Sequence, residues 1–369
     1  MYKPKNLILT AGPSISKKEV NYVLDAVKNG WNTQFRDYLN RFEEKFAQYV
    51  GTKYAWSTSS GTGALHVAML ACGIKEGDEV IIPELTFVAS ANVVRFVGAV
   101  PVFVDIEEDT WCIDPVSFKK AITKRTKAVM PVHIYGHPAN MDEVNHIAKK
   151  HGLFVIEDAC PSVGAEYKGK KTGSLSDIAA FSFQGAKILA TGEGGMVVTD
   201  NKELFERACY YGNHAKEKKL FWHGDVGYMY RMANLLGALG LAQLERIEEF
   251  IEKKRKIFNW YKDRLEDVNG LQLNAEKEWT RNIFWMSSIV LRKNFGITRD
   301  ELMAKLKEEL IDTRPFFYPL SMFSFYHSKA KNPVAYEIQL NGINLPSGVN
   351  LREEEVDYVA TTVRKILQV

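Results

Sequence analysis

Cysteine is scarce in this sequence: four residues, Cys72, Cys112, Cys160 and Cys209, widely spaced and with no CxxC pair. That excludes a disulfide framework and a zinc ribbon, and no other metal-ligand spacing stands out. Long apolar runs are also missing. Nothing approaches the roughly 18 consecutive apolar residues of a membrane span, and the opening MYKPKNLILTAGPSISKKEV has no signal-like apolar core. An excess of charge of one sign is absent too. There are 48 basic against 45 acidic residues, a net charge of +3, whereas nucleic-acid binders concentrate basic charge. No repeat, low-complexity tract or disordered linker interrupts the chain. The expectation is a soluble, cytoplasmic protein with small-molecule partners, no nucleic acid, no membrane and no metal.

What is present is the balance of an ordinary globular protein: 369 residues, 46% hydrophobic and 25% charged. Short runs rich in Val, Ile and Phe alternate with amphipathic stretches as far as about residue 245. YAWSTSSG, DEVIIPELTF, VPVFVDI, TKAVMPVHIYG and LFVIEDA read as strands, with helices between them such as TGALHVAMLACGI and MDEVNHIAKKHG. This pattern predicts an α/β fold with a mostly parallel sheet covered on both faces. Ligands of such sheets lie beyond the carboxyl ends of the strands. LLGALGLAQLERIEEFIEKKRKIFNWYKDRLEDV reads as one long helical stretch leading to a second unit, in which WMSSIVL is a strand. The expected division is a large domain over 1–248 and a smaller C-terminal α/β domain over 249–369.

Three segments carry the chemistry. In STSSGTGALHVAML, Ser60, Gly61 and Thr62 stand where a strand turns into a helix, a place where backbone N–H groups can cradle an anion. The plainer reading is an ordinary helix cap. In FVIEDACPSVGA, Glu157 and Asp158 fall at the carboxyl end of a buried strand, where a carboxylate needs a cationic partner or a turn to cap. In FSFQGAKILATGEGG, Lys187 follows a strand and precedes a turn in which Gly194 and Gly195 permit positive φ. A desolvated lysine becomes a usable amine nucleophile, although a single lysine at a sheet edge more commonly snorkels to water. Anion cradle, acid and lysine, in that order, are what pyridoxal 5'-phosphate needs for its phosphate, its ring nitrogen and its aldehyde. Phe87, at a strand end in PELTFVASAN, is available to cover the ring.

With these residues placed, the segments SSGTGALHVAMLACGIKEGDEVIIPELTFVASANVVRFVGAVPVFVDI, PVHIYGHPANMDEV, VIEDACPSVGA, FSFQGAKILATGEGGMVVTD and ALGLAQLERI together resemble the DegT-type sugar aminotransferases. These are pyridoxal-phosphate enzymes of the aspartate aminotransferase fold, fold type I. Within them the chain resembles the perosamine synthases, with TRPFFYPL in the second domain supporting that subgroup. The resemblance implies Lys187 as the residue that condenses with the cofactor aldehyde and shuttles protons, and Asp158 as the partner of the ring nitrogen. It also implies Phe87 as the stacking ring, and Ser60, Gly61, Thr62 and Ser182 around the phosphate. The substrate it implies is a nucleotide-linked 4-keto-6-deoxy sugar, aminated at C4 with L-glutamate as donor, in amino-sugar biosynthesis for surface polysaccharide such as lipopolysaccharide O-antigen. Homodimers with active sites at the interface are also implied. Amination at C3 or of a cyclitol ketone, and a cofactor-binding scaffold without turnover, are the alternatives. A sugar 3-dehydratase would carry His at the position of Lys187.

The chain departs from the family pattern at several pocket motifs. Pro161 stands where Gln, Glu or His is usual, Met229 where Asn is usual and Ser321 where His is usual. NTQFRDYL places Phe35 and Arg36 where the family has a smaller Ser/Gly segment. Arg36, Arg231, Arg314 and Ser321 are the candidate substrate contacts by charge and position.

Overall fold

The structure is a computed structural model that describes residues 2–326, 328 and 331–369. Seven strands form the main sheet: β1 (Tyr54–Thr58), β2 (Glu79–Pro83), β3 (Val100–Val104), β4 (Thr126–Val129), β5 (Phe154–Asp158), β6 (Ile178–Ser182) and β7 (Gly195–Thr199). Their order is β1-β7-β6-β5-β4-β2-β3. The pairs β3/β2, β2/β4, β4/β5 and β5/β6 are parallel, and β7 runs antiparallel to both β6 and β1. The expected mostly parallel sheet is therefore present, with one reversed strand. GEGG makes that reversal possible. Gly194 takes φ +152°, and a Cβ on Gly195 would lie 2.5 Å from the Ser60 carbonyl oxygen. Of the two glycines, one is needed for its dihedral and the other for space.

Strands β2, β6 and β7 are buried at every residue because helices cover both faces. One face packs Phe42, Phe46, Phe118 and Phe181. The other packs Val67, Ile82, Val93 and Val197. Helix Gly61–Ala71 belongs to the second layer and is apolar nearly all round, as its sandwiched position requires.

The long helical stretch expected after residue 234 is two helices, Asn234–Leu244 and Ile247–Leu265. Arg246 breaks the run with φ −117° and ψ 7°. Its guanidinium bonds Glu19 Oε1 at 2.8 Å and the Ser14 carbonyl, so the break serves a contact with the N-terminal segment. A second, antiparallel sheet joins β8 (Leu271–Leu273), β9 (Ser288–Leu291), β10 (Arg314–Pro315) and β11 (Gly342–Asn344) in the order β8-β9-β11-β10. Its core gathers Tyr261, Ile289, Leu302 and Val363. Ile8 bridges Ile311, so the start of the chain lies against this second sheet. Among the described residues no helix is long and apolar enough to cross a membrane.

Lys254, on helix Ile247–Leu265, ties that helix to the segments flanking the second sheet from inside. It is buried, and its ammonium donates to the carbonyls of Trp285, at 2.7 Å, and Ser347. Burial pulls its pKa down to about 7. Above that pH the folded protein releases a proton that the unfolded chain still holds, so this group makes stability rise with pH between about 7 and 10. Urea unfolding of the wild type and Lys254→Met at pH 7 and pH 9 checks this. The wild type should gain roughly 2 kcal/mol over the variant between the two pH values. A pH-independent difference would show that the site titrates elsewhere.

Candidate active site

Strand β5 ends in two adjacent carboxylates that alternation sends to opposite faces. Glu157 turns into the core and is fully engaged. It lies 2.8 Å from His133 Nε2 and accepts from the N–H groups of Gly173 and Leu175 and the hydroxyl of Ser176. Asp158 turns to the other side. Ser90 Oγ donates to its Oδ2 at 2.7 Å, and the Cys160 N–H donates to Oδ1 at 3.2 Å. Thr86 in turn holds Ser90 at 3.1 Å. Both Asp158 oxygens are thus oriented by donors, and the carboxylate remains available at the carboxyl end of the sheet.

Helix Gly61–Ala71 starts beside it. Ser60 caps the helix by accepting from the Gly63 N–H at 3.0 Å, so the plain capping role is real. Gly61 has a second reason to be glycine. A Cβ there would come within 2.6 Å of Ser182 Cβ and 3.2 Å of Cys160 Sγ. The first turn of the helix therefore lies against the end of β6, and Ser60, Gly61, Thr62 and Ser182 converge on one spot. Free N–H donors of a helix start, hydroxyls and a close backbone approach suit a phosphate.

Lys187 follows on the loop after β6, where its N–H donates to the Gln184 carbonyl at 2.7 Å. Burial lowers its proton affinity, opposed by the attraction of Asp158. The ammonium position is 3.7 Å from the centre of the Trp285 ring. Phe87 is 57% exposed, and its ring leans on Phe317 at 5.6 Å, which stacks on buried Tyr135 at the same spacing. A large apolar ring left open at the mouth of the site has a face free for another ring.

The structure thus brings Ser60, Gly61, Thr62, Ser182, Asp158 and Lys187 together. It places the candidate substrate residues elsewhere around them. Arg231 bridges Thr58 and lies 3.9 Å from Glu43, whose carboxylate is already used by Ser57. Arg231 Nε and Nη2 and Arg36 Nε are buried without hydrogen-bond partners among the described residues. Burial lowers the Arg231 pKa, Glu43 opposes this and Arg36 adds to it. Arg314 is exposed on β10 and pairs with Asp312 at 3.4 Å. Ser321 gives its N–H to Glu84 at 2.6 Å, and its hydroxyl shares a hydrogen bond with the Tyr336 hydroxyl at 2.8 Å. Pro161 is buried, and Met229 is exposed with its backbone bridged to Asn213. Ser90 and Trp285 are site residues that sequence reasoning missed. The chain separates them from Asp158 and Lys187 by scores of residues, and no local pattern links them.

The geometry tests the cofactor reading. Pyridoxal phosphate requires a phosphate cradle that a Cβ would fill, an oriented buried carboxylate, an amine of lowered proton affinity and an open aromatic face, and the residues fit it. Comparison with known proteins agrees. The family model described as the DegT/DnrJ/EryC1/StrS aminotransferase family matches residues 13–364. GDP-perosamine synthase of Escherichia coli O157:H7 is 42% identical over 356 residues, covering 96% of each chain. EpsN of Bacillus subtilis, described by name as pyridoxal phosphate-dependent, is 36% identical over 94% of this chain and 92% of its own. The crystal structure of DesI in the presence of its TDP-sugar product superposes with a TM-score of 0.90 at 29% identity, over 99% of this chain and 93% of that one. The fold is the aspartate aminotransferase type, and the cofactor is pyridoxal 5'-phosphate. The chain belongs to the DegT/DnrJ/EryC1/StrS aminotransferase family.

Proposed function

We propose that this enzyme converts a nucleotide-linked 4-keto-6-deoxy sugar to the 4-amino sugar, taking the amino group from L-glutamate, for surface polysaccharide. The observation that carries the chemistry is the half-buried amine of Lys187, of lowered proton affinity, beside Asp158 and the close approach of Gly61 to Ser182. The substrate class is supported by the near-full-length similarity to GDP-perosamine synthase and by the fold shared with DesI.

In this reading, Ser60, Gly61, Thr62 and Ser182 hold the phosphate and Phe87 covers the ring. Asp158, kept in place by Ser90 and the Cys160 N–H, holds a proton on the ring nitrogen. Bound pyridoxal phosphate supplies an electron sink. Lys187 would supply the amine that captures the cofactor and, once free, would move one proton in each half of the reaction between the substrate carbon, the donor's Cα first and the sugar's C4 second, and the cofactor carbon bonded to the same nitrogen. One base on one face suffices because the proton leaves and returns at neighbouring atoms. Arg36 and Arg231 offer guanidinium donors for anionic parts of donor or nucleotide, with Arg314 and Ser321 as outer contacts. Residues 1–248 form the unit that carries the cofactor and 249–369 the unit that closes beside it. Exposed Phe35, Phe221, Trp222 and Met229 support a homodimer that covers apolar surface.

Four measurements test this. Lys187→Ala should keep its circular dichroism and lose the visible absorbance that appears when pyridoxal phosphate is added. An unchanged band would remove Lys187 from the mechanism. Cofactor capture by the wild type should speed up with pH and reach half its maximum below about 10.4, the value of an ordinary lysine, because capture needs the neutral amine and burial favours it. Gly61→Ala should weaken cofactor binding by about tenfold or more, as its methyl group meets Ser182. An unaltered Kd would dismiss the cradle. Reconstituted enzyme given L-glutamate and GDP-4-keto-6-deoxymannose should release 2-oxoglutarate and the amino sugar. No 2-oxoglutarate with GDP-, dTDP- or UDP-linked 4-keto sugars would refute the proposed reaction.

A further inference from the structure

Trp285 comes from the strap before β9, 98 positions after Lys187 in the chain, yet its ring centre lies 3.7 Å from Lys187 Nζ. That is contact with the face of the ring, where the π-electron density attracts a cation. The indole is not free to drift. Its Nε1–H donates to the Ala186 carbonyl at 2.8 Å, so the ring is pinned to the residue immediately before Lys187. Its own carbonyl accepts from the buried Lys254 ammonium at 2.7 Å, and its side chain is 95% out of contact with water together with the rest of the residue. The ring is therefore held from both ends, by its side chain and by its backbone.

We infer that Trp285 is a positioning residue for Lys187, providing the aromatic face on which the lysine's ammonium rests while it is not bonded to the cofactor. This rests on Lys187 being the proton carrier. During transfer the freed lysine must hold a proton in a place with little water, and then give it back at a defined atom. Water would solvate the ammonium but leave its direction open. A pinned indole face stabilises the charge and restricts where Nζ can be. Asp158 and Cys160 are the titratable groups that face Lys187 from β5 and the turn after it. Burial disfavours the ammonium and Asp158 attracts it, while burial keeps the Cys160 thiol protonated and uncharged. Trp285 adds an attraction from the other unit of the chain that carries no charge of its own and so takes no proton from the lysine.

The test separates the π-face from shape and burial. Trp285 is replaced, by site-specific incorporation, with tryptophans carrying one to four ring fluorines, which weaken the face while keeping the ring and its N–H. The pKa of Lys187 is read in the cofactor-free protein from the pH dependence of its acetylation by acetic anhydride, followed on the Lys187 peptide by mass spectrometry. The expected result is a stepwise fall with fluorine number, reaching about half a unit to one unit. No trend, or a rise, overturns the inference, even if Lys187 still captures cofactor. Trp285→Phe provides a second arm. It keeps an aromatic face but loses the bond to Ala186, and should lower kcat about tenfold while leaving KM for both substrates within about twofold. A kcat equal to wild type, or a loss seen only in KM, overturns the positioning role.

Discussion

Because Lys187 is half-buried, its charged form is disfavoured, and its neighbours decide how much of that cost remains. Asp158 reduces it by attraction, and the Trp285 ring adds a face that favours the cation. The outcome is an amine whose two protonation states lie closer together than those of a lysine in solution. The role proposed for Lys187, attack on a carbonyl followed by proton transfer, needs that balance. The rest of the site serves to keep this environment fixed. Ser90 and the Cys160 N–H orient Asp158, and the absence of a side chain at Gly61 lets the first turn of helix Gly61–Ala71 lie against Ser182.

The fold places these groups by a simple geometric device. Strands β5 and β6 run parallel and adjacent, so Asp158 and Ser182 both reach the carboxyl edge of the sheet, and Lys187 follows on the loop beyond. The reversed strand β7 returns the chain through GEGG and brings Gly195 under the Ser60 carbonyl, closing the cradle from below. The second sheet then contributes what the first cannot. Trp285 and Phe317 arrive from its side of the molecule, and buried Glu84 accepts from the Ser321 N–H and the Asn332 amide, joining the end of β2 to that side.

The main sheet was legible because its strands are continuous apolar runs with helical patterns between them. Lys187, Asp158 and Gly61 were legible because each sits at a strand end beside a sharp local signal. Contacts made across the chain were not legible. Nothing in RNIFWMSS marks Trp285 as a neighbour of Lys187, and nothing in VASANVV marks Ser90 as the support of Asp158. The break at Arg246 was hidden for a similar reason: the residues on both sides are good helix formers, and only the contact with Glu19 interrupts them. Glu157 and Asp158 looked alike in the sequence, and the sheet's alternation gave one to the core and the other to the site. The substituted positions follow no single logic. Pro161 is buried, Ser321 bonds Tyr336, and Met229 is left exposed, so the polar groups usual there have been replaced in three different ways.

The account stands on one covalent claim, that the amine at position 187 is the one that takes the cofactor. Reconstituting the protein with pyridoxal phosphate, reducing it with sodium borohydride and mapping the digest by mass spectrometry addresses that claim at residue level. The pyridoxyl phosphate mass should appear on the peptide that contains Lys187 and on no other. Its appearance on a different lysine, or on none, would contradict the account.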